Sequence, residues 1–147
     1  MKQIKCPDTL SLVDHGAPTV FLAGGITCCP DWQAEIMDML KFHDLRLLNP
    51  RRDDFDYNDS AMAKRQIEWE YRHLRMCSTV LFWFPEETLC PITLFELGVY
   101  SDCNIVVGCH PNYARKFDIV KQLSLIRPDI KVVFSLSDLV EQLEIAL

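Results

Sequence analysis

The chain has 147 residues, 49% of them hydrophobic, with 21 acidic residues against 15 basic ones and a formal charge of −6. That length suits one domain with a core and leaves little room for a second. The acidic balance argues against a general nucleic-acid binder, whose phosphate contacts need a clustered basic face, and no apolar stretch reaches the roughly 18 residues of a membrane span.

The first residues lack the long apolar core of a secretion signal, so a cytoplasmic protein working on small molecules is expected. Seven cysteines are an odd count without a secretion context, which points to free thiols rather than a disulfide framework. Cys28 and Cys29 are adjacent, whereas zinc pairs leave two to four residues between ligands, and no metal site is expected.

Residues 1–17 show little periodicity and read as an irregular leader before a domain over 18–147. Thr19–Ala23 is a short β-rich run followed at once by Gly24-Gly25, a strand opening into a loop. Those glycines serve either the turn or the close approach of backbone to a ligand. A helix from Asp31 to about Phe42 follows, with Pro30 before it and Trp32, Ile36, Met39 and Leu40 spaced for one buried face. Asp31 and Trp32 lie at its mouth, where they line a site or serve as helix-dipole partner and core.

Leu45–Leu48 is a second strand, and Asn49-Pro-Arg-Arg-Asp-Asp54 forms a loop at the same sheet edge. Arg51 and Arg52 either hold a phosphate or sugar hydroxyl, which selects a nucleotide over a nucleoside, or pair with Asp53 and Asp54. Asp59 or Ser60 caps a long helix to about Met76. On it Gln66, Glu70 and His73 occupy neighbouring positions of one face.

Thr79–Phe84 is a continuous apolar run, expected as a fully buried strand that Pro85 ends. A helix near Thr93–Ser101 then carries Glu96 just beyond the C-terminal edge of that strand, where open parallel sheets bind ligands. Thr93-x-x-Glu96 is also a capping box, in which the carboxylate satisfies backbone N–H groups. A strand at Asn104–Gly108, a helix near Arg115–Ser124, a strand at Lys131–Phe134 and a last helix from Ser137 complete the pattern. Five strands alternating with five helices predict an α/β class, a single doubly wound domain with a five-stranded parallel sheet in flavodoxin-like order.

Phe21-Leu-Ala-Gly-Gly25, Gln66-Ile-Glu-Trp-Glu70, Phe82-Trp-Phe-Pro85 and Leu89-Cys-Pro-Ile-Thr-Leu-Phe-Glu-Leu-Gly98 together resemble the nucleoside 2-deoxyribosyltransferase-like family, over about Val20 to Cys109. The resemblance implies that Glu96 is the nucleophile attacking C1′ of a nucleoside. It implies that Glu70, 26 residues earlier, helps protonate the departing base. The implied activity is cleavage of the N-glycosidic bond of a 2′-deoxynucleoside or deoxynucleotide, with transfer of the deoxyribosyl group to another base or to water. No metal or organic cofactor is required. Burial beside Ile67 and Leu74 is expected to raise the Glu70 pKa, while the helix N-terminus keeps Glu96 ionised.

The chain departs from the family pattern in two places. Cys90 stands six positions before Glu96, where the family's transferases carry a second acidic residue, and Phe21 stands where a tyrosine is expected. The alternative is therefore a nucleotide-binding module in which catalysis has been lost, with Cys90 marking the loss. Trp32, Trp83 and Phe84 offer a stacking face to the base or simply fill the core. Family members are homo-oligomers that lend residues to a neighbour's site. In this chain Ile145-Ala-Leu147 offers no such group, so Asn112 and Tyr113 are the candidates, with a plain turn as the other reading.

Overall fold

The apolar runs become parallel strands in the computed structural model, which describes residues 1–10, 16–56 and 58–147. Residues 11–15 of the expected leader and Tyr57 lie outside the described residues. In chain order the elements are β1 (Lys2–Ile4), β2 (Thr19–Gly24), α1 (Trp32–Met39), β3 (Arg46–Leu48), α2 (Ser60–Met76), β4 (Thr79–Phe84), α3 (Pro91–Val99), β5 (Ile105–Cys109), α4 (Lys116–Ile126) and α5 (Leu136–Ala146). The sheet runs β1-β3-β2-β4-β5 and every pairing is parallel.

Each strand residue faces one of two helical layers, because successive side chains point to opposite faces. Phe21, Phe82 and Phe84 pack under α2, α3 and α4 with Trp69, Leu97 and Ile119. Val20, Leu22, Leu81 and Trp83 pack under α1 and α5 with Ile36 and Leu139. All six residues of β4 are buried, as a strand covered on both faces requires. The chain leaves β2 toward β3 and returns to the other side for β4. The C-terminal ends of β2 and β4 therefore frame the crevice where strand order reverses, the place where such sheets bind ligands.

Two ends of the sheet differ from the sequence reading. Lys2–Ile4, expected to be irregular, forms edge strand β1 beside β3, with Lys2 N–H on the Leu45 carbonyl at 2.8 Å and Asn49 N–H on the Ile4 carbonyl at 3.0 Å. Three residues are too few to show a period, so the pairing comes from the exposed edge of β3 and the burial of Ile4. The leader is tied further by Trp69 Nε1 donating to the Asp8 carbonyl at 2.6 Å. At the far end Lys131–Phe134 yields only a bridge, Val133 to Gly108. Of that segment only Val133 is buried, so one residue alone is held against β5. The remaining four strands and five helices fall where expected to within a few residues, in flavodoxin-like order.

Candidate active site

A cavity of about 370 Å³ opens at the switch point. Its floor is the end of β2, with Phe21, Ala23, Gly24 and Gly25, and its walls come from α2, α3 and the loops after β3 and β4. The structure brings together seven of the residues singled out from the sequence: Gly24, Gly25, Arg52, Gln66, Glu70, Cys90 and Glu96.

Asp59 starts α2 by accepting from the Ala61 and Met62 amides, which sets the helix phase. Gln66 and Glu70 are then one turn apart on the wall, and Gln66 Nε2 donates to Glu70 Oε1 at 2.9 Å and to the Pro50 carbonyl at 3.0 Å. On α3, Thr93 and Glu96 form the matching stripe. The helix starts at Pro91, a residue suited to a first helical position, and Cys90 is its N-cap, whose side chain makes no capping hydrogen bond. The capping-box reading of Thr93 and Glu96 is thereby corrected, since Thr93 is the third helical residue and is buried in the cavity wall.

The same shift corrects the expected charge of Glu96. It is the sixth residue of α3, in the second turn, where the helix dipole has fallen away. Burial, reinforced by the Glu70 charge, pushes its pKa up to about 8. Burial also raises Glu70, with the Gln66 donor opposing. Burial thus favours the protonated form of both carboxyls, and the two titrate as a coupled pair.

Cys90 occupies the left-handed region at φ 48°, an uncommon setting for a residue with a side chain. Its Sγ points at the Thr88 carbonyl at 3.4 Å, and burial pushes the thiol up to about 12. At that position the chain thus carries a neutral group. Phe21, fully buried, gives the floor no hydroxyl.

Gly24 and Gly25 are required by close approach. A Cβ on Gly24 would lie 2.3 Å from the Trp83 carbonyl oxygen, and one on Gly25 2.8 Å from Pro85 and Thr88 and 2.9 Å from Cys90 Sγ. Neither glycine has positive φ, so sterics and not backbone conformation select them.

The other candidates lie outside this cavity. Arg51 is a clamp for the loop after β2, its Nε on Gln33 Oε1 at 2.9 Å and a terminal nitrogen on the Pro30 carbonyl at 2.9 Å. It pairs with Asp31 at 3.3 Å, not with Asp53 or Asp54. Asp31 also caps α1 by accepting from the Ala34 amide. Trp32 is buried on the opposite face of the sheet, where its indole N–H donates to the Gly25 carbonyl at 2.8 Å and supports the floor from beneath. Asn112 sits in an exposed turn with its amide on His110 Nδ1. Tyr113 is buried in its own core, its hydroxyl holding the Leu89 carbonyl at 2.8 Å, so it is not available to a neighbour. Trp83 and Phe84 are buried in the sheet as well. His73 is also core: its Nδ1 faces the Trp69 carbonyl at 2.7 Å, and Nε2 receives the Leu10 amide.

Arg52 does line the cavity, but it is held by Asp54 through two bonds of 2.9 and 2.8 Å, the surface pairing that the sequence allowed. Phe55 was missed. Its half-buried ring is an aromatic contributed by the loop after β3, and the available signal was an aromatic flanked by Asp54 and Asp56. Ile26, Thr88 and Ile92 also line the cavity and carried no sequence signal of their own.

A doubly wound sheet with two carboxyl groups over its switch point defines a candidate small-molecule site. The model of the family described as nucleoside 2-deoxyribosyltransferase like matches residues 17–113, and the chain belongs to that family. A solved structure of a conserved protein from Enterococcus faecalis V583 has the same fold, with a TM-score of 0.61 at 16% identity, covering 90% of this chain and 100% of that one. No curated protein matches the chain. Among the described residues no helix is long and apolar enough to cross a membrane.

Proposed function

We propose that the protein cleaves the N-glycosidic bond of a 2′-deoxynucleoside or its 5′-phosphate and passes the deoxyribosyl group to another base or to water. One observation carries the reading: Glu70 and Glu96 share a cavity closely enough for one charge to raise the other's pKa. A Glu96 oxygen attacks the anomeric carbon and forms an ester bond as the carbon–nitrogen bond breaks, its electron pair leaving with the base. Glu70 gives the base a proton. Water or a second base then attacks the same carbon, its proton returns to Glu70, and Glu96 departs as carboxylate.

Burial raises both carboxyls, so where a proton sits decides the chemistry. Positive charge developing at the anomeric carbon favours an ionised Glu96, and the proton then belongs on Glu70 beside the departing base. Gln66, bonded to Glu70, orients that carboxyl.

A second reading, a nucleotide-binding module without turnover, is favoured by the neutral Cys90 and by a Glu96 that is protonated in the free protein. Base release from a panel of deoxynucleosides and their 5′-monophosphates, with and without a second free base, separates the two. Release abolished by Glu96→Ala supports the enzyme, and dependence on the second base makes it a transferase. Binding of a panel member without any release supports the module.

A further inference from the structure

Gln66 carries an acceptor that nothing in the protein uses. The residue is 7% exposed and lines the cavity beside Glu70. Its Nε2 directs one N–H at the Pro50 carbonyl, at 3.0 Å, and the other at Glu70 Oε1, at 2.9 Å. The Pro50 carbonyl is an acceptor whatever the pH, so the amide cannot be turned round without setting oxygen against oxygen. The remaining oxygen, Gln66 Oε1, is buried and has no hydrogen-bond partner among the described residues. A buried acceptor without a donor is costly, and in the wall of a ligand cavity the donor is expected from the ligand.

The neighbouring groups define what that ligand must offer. Glu70 Oε1 takes the Gln66 N–H, which leaves Oε2 as the oxygen to carry a proton. Arg52, the one cationic side chain lining the cavity among the described residues, is held by Asp54. A protonated Glu70 and Gln66 Oε1 therefore stand side by side as donor and acceptor. We infer that Gln66 Oε1 selects the base and that the base is a 6-aminopurine, with the Glu70 proton on its N7 and its N6 amino group donating to Gln66 Oε1.

Adenine carries the N7 acceptor and the N6 donor next to each other on one edge, whereas a 6-oxopurine presents two acceptors there, N7 and O6. In guanine or hypoxanthine the O6 atom would meet Oε1 lone pair to lone pair and leave both unpaired in a buried wall. A site built on such a contact discriminates strongly, because the wrong partner strands a buried polar group. Gln66 thus has two functions: Nε2 orients Glu70, and Oε1 reads the base. This assignment rests on the reading of the cavity as a nucleobase site with Glu70 beside the base, and it applies to a binding module as much as to an enzyme.

Calorimetric titration of the full chain with adenine and with hypoxanthine tests this without turnover, since a free base has no glycosidic bond to break. Wild type should bind adenine about 10- to 100-fold more tightly than hypoxanthine. Gln66→Leu removes the acceptor and should bring the two affinities within about threefold of each other, mainly by weakening adenine. A merely structural role for Gln66 would weaken both bases alike and leave their ratio unchanged. Circular dichroism checks the fold, and if Gln66→Leu fails that check, Gln66→Met, unbranched like the native side chain, decides. Equal binding of the two bases by wild type, tighter binding of hypoxanthine, binding of neither, or an adenine preference that survives in the folded variant overturns the inference. An adenine preference that is lost with Gln66, in a protein that releases no base from any deoxynucleoside, upholds it and removes the proposed reaction instead.

Discussion

Replacing Glu96 with Gln keeps the shape of the side chain and removes its charge, which isolates the cost of holding a carboxyl in the cavity wall. The group moves from an ordinary 4.5 to about 8 on folding. The folded chain therefore binds this proton more tightly than the unfolded chain, so its stabilising contribution is complete below about 4.5 and is lost as pH rises through about 8. At about 1.4 kcal/mol per unit, wild type loses on the order of 3 kcal/mol relative to the glutamine variant between about pH 5.5 and pH 8. For a domain of this size that corresponds to a relative shift of roughly 10 °C in Tm. Urea unfolding of both proteins at the two pH values measures it. The variant should gain on wild type as pH rises, and a stability difference that is the same at both pH values would refute the buried, coupled carboxyl.

Two further variants probe the walls. Gln66→Leu removes the N–H donor that stabilises the Glu70 carboxylate, so Glu70 should be raised further and the acidic limb of the pH–rate profile should move to higher pH. It also frees the Pro50 carbonyl, and denaturation should show a loss of about 1–3 kcal/mol. Gly24→Ala drives a methyl group into the Trp83 carbonyl and, at 2.4 Å, into the Trp32 ring. Neither can retreat from a filled core, so unfolding experiments should show a loss of about 2–3 kcal/mol or more.

Much of this arrangement was legible in the chain because burial writes a period into it. Thr79–Phe84 is apolar without interruption because both of its faces are covered, and its boundaries come out unchanged. The start of α2 is legible because Asp59 is a good cap, and Ser60, the other candidate, is the first helical residue. The start of α3 is not, since two signals competed: Pro91 suits a first turn and Thr93-x-x-Glu96 suits a capping box. The proline won, because Thr93 gains more from burial in the wall than from capping. That two-residue shift moves Glu96 out of reach of the dipole and reverses its expected charge.

Side-chain destinations were the less legible part. Arg51 and Arg52 are adjacent, yet one clamps a loop 21 residues away through the Pro30 carbonyl while the other turns to the cavity, a choice made by partners distant in sequence. Trp32, read as a stacking surface or as core, is core, and its role as a prop beneath Gly25 on the opposite face of the sheet carried no signal. β1 was hidden because three residues carry no period, and Phe55 because a loop aromatic has no pattern to belong to.

The central claim is that Glu96 forms a covalent bond to the sugar. Rapid acid quenching of the enzyme during turnover of a deoxynucleoside that releases its base, followed by intact-mass measurement and peptide mapping, tests it directly. The expected result is one added deoxyribosyl group on the peptide carrying Glu96, absent from Glu96→Ala. Steady base release with no adduct, or an adduct on any other residue, would contradict it.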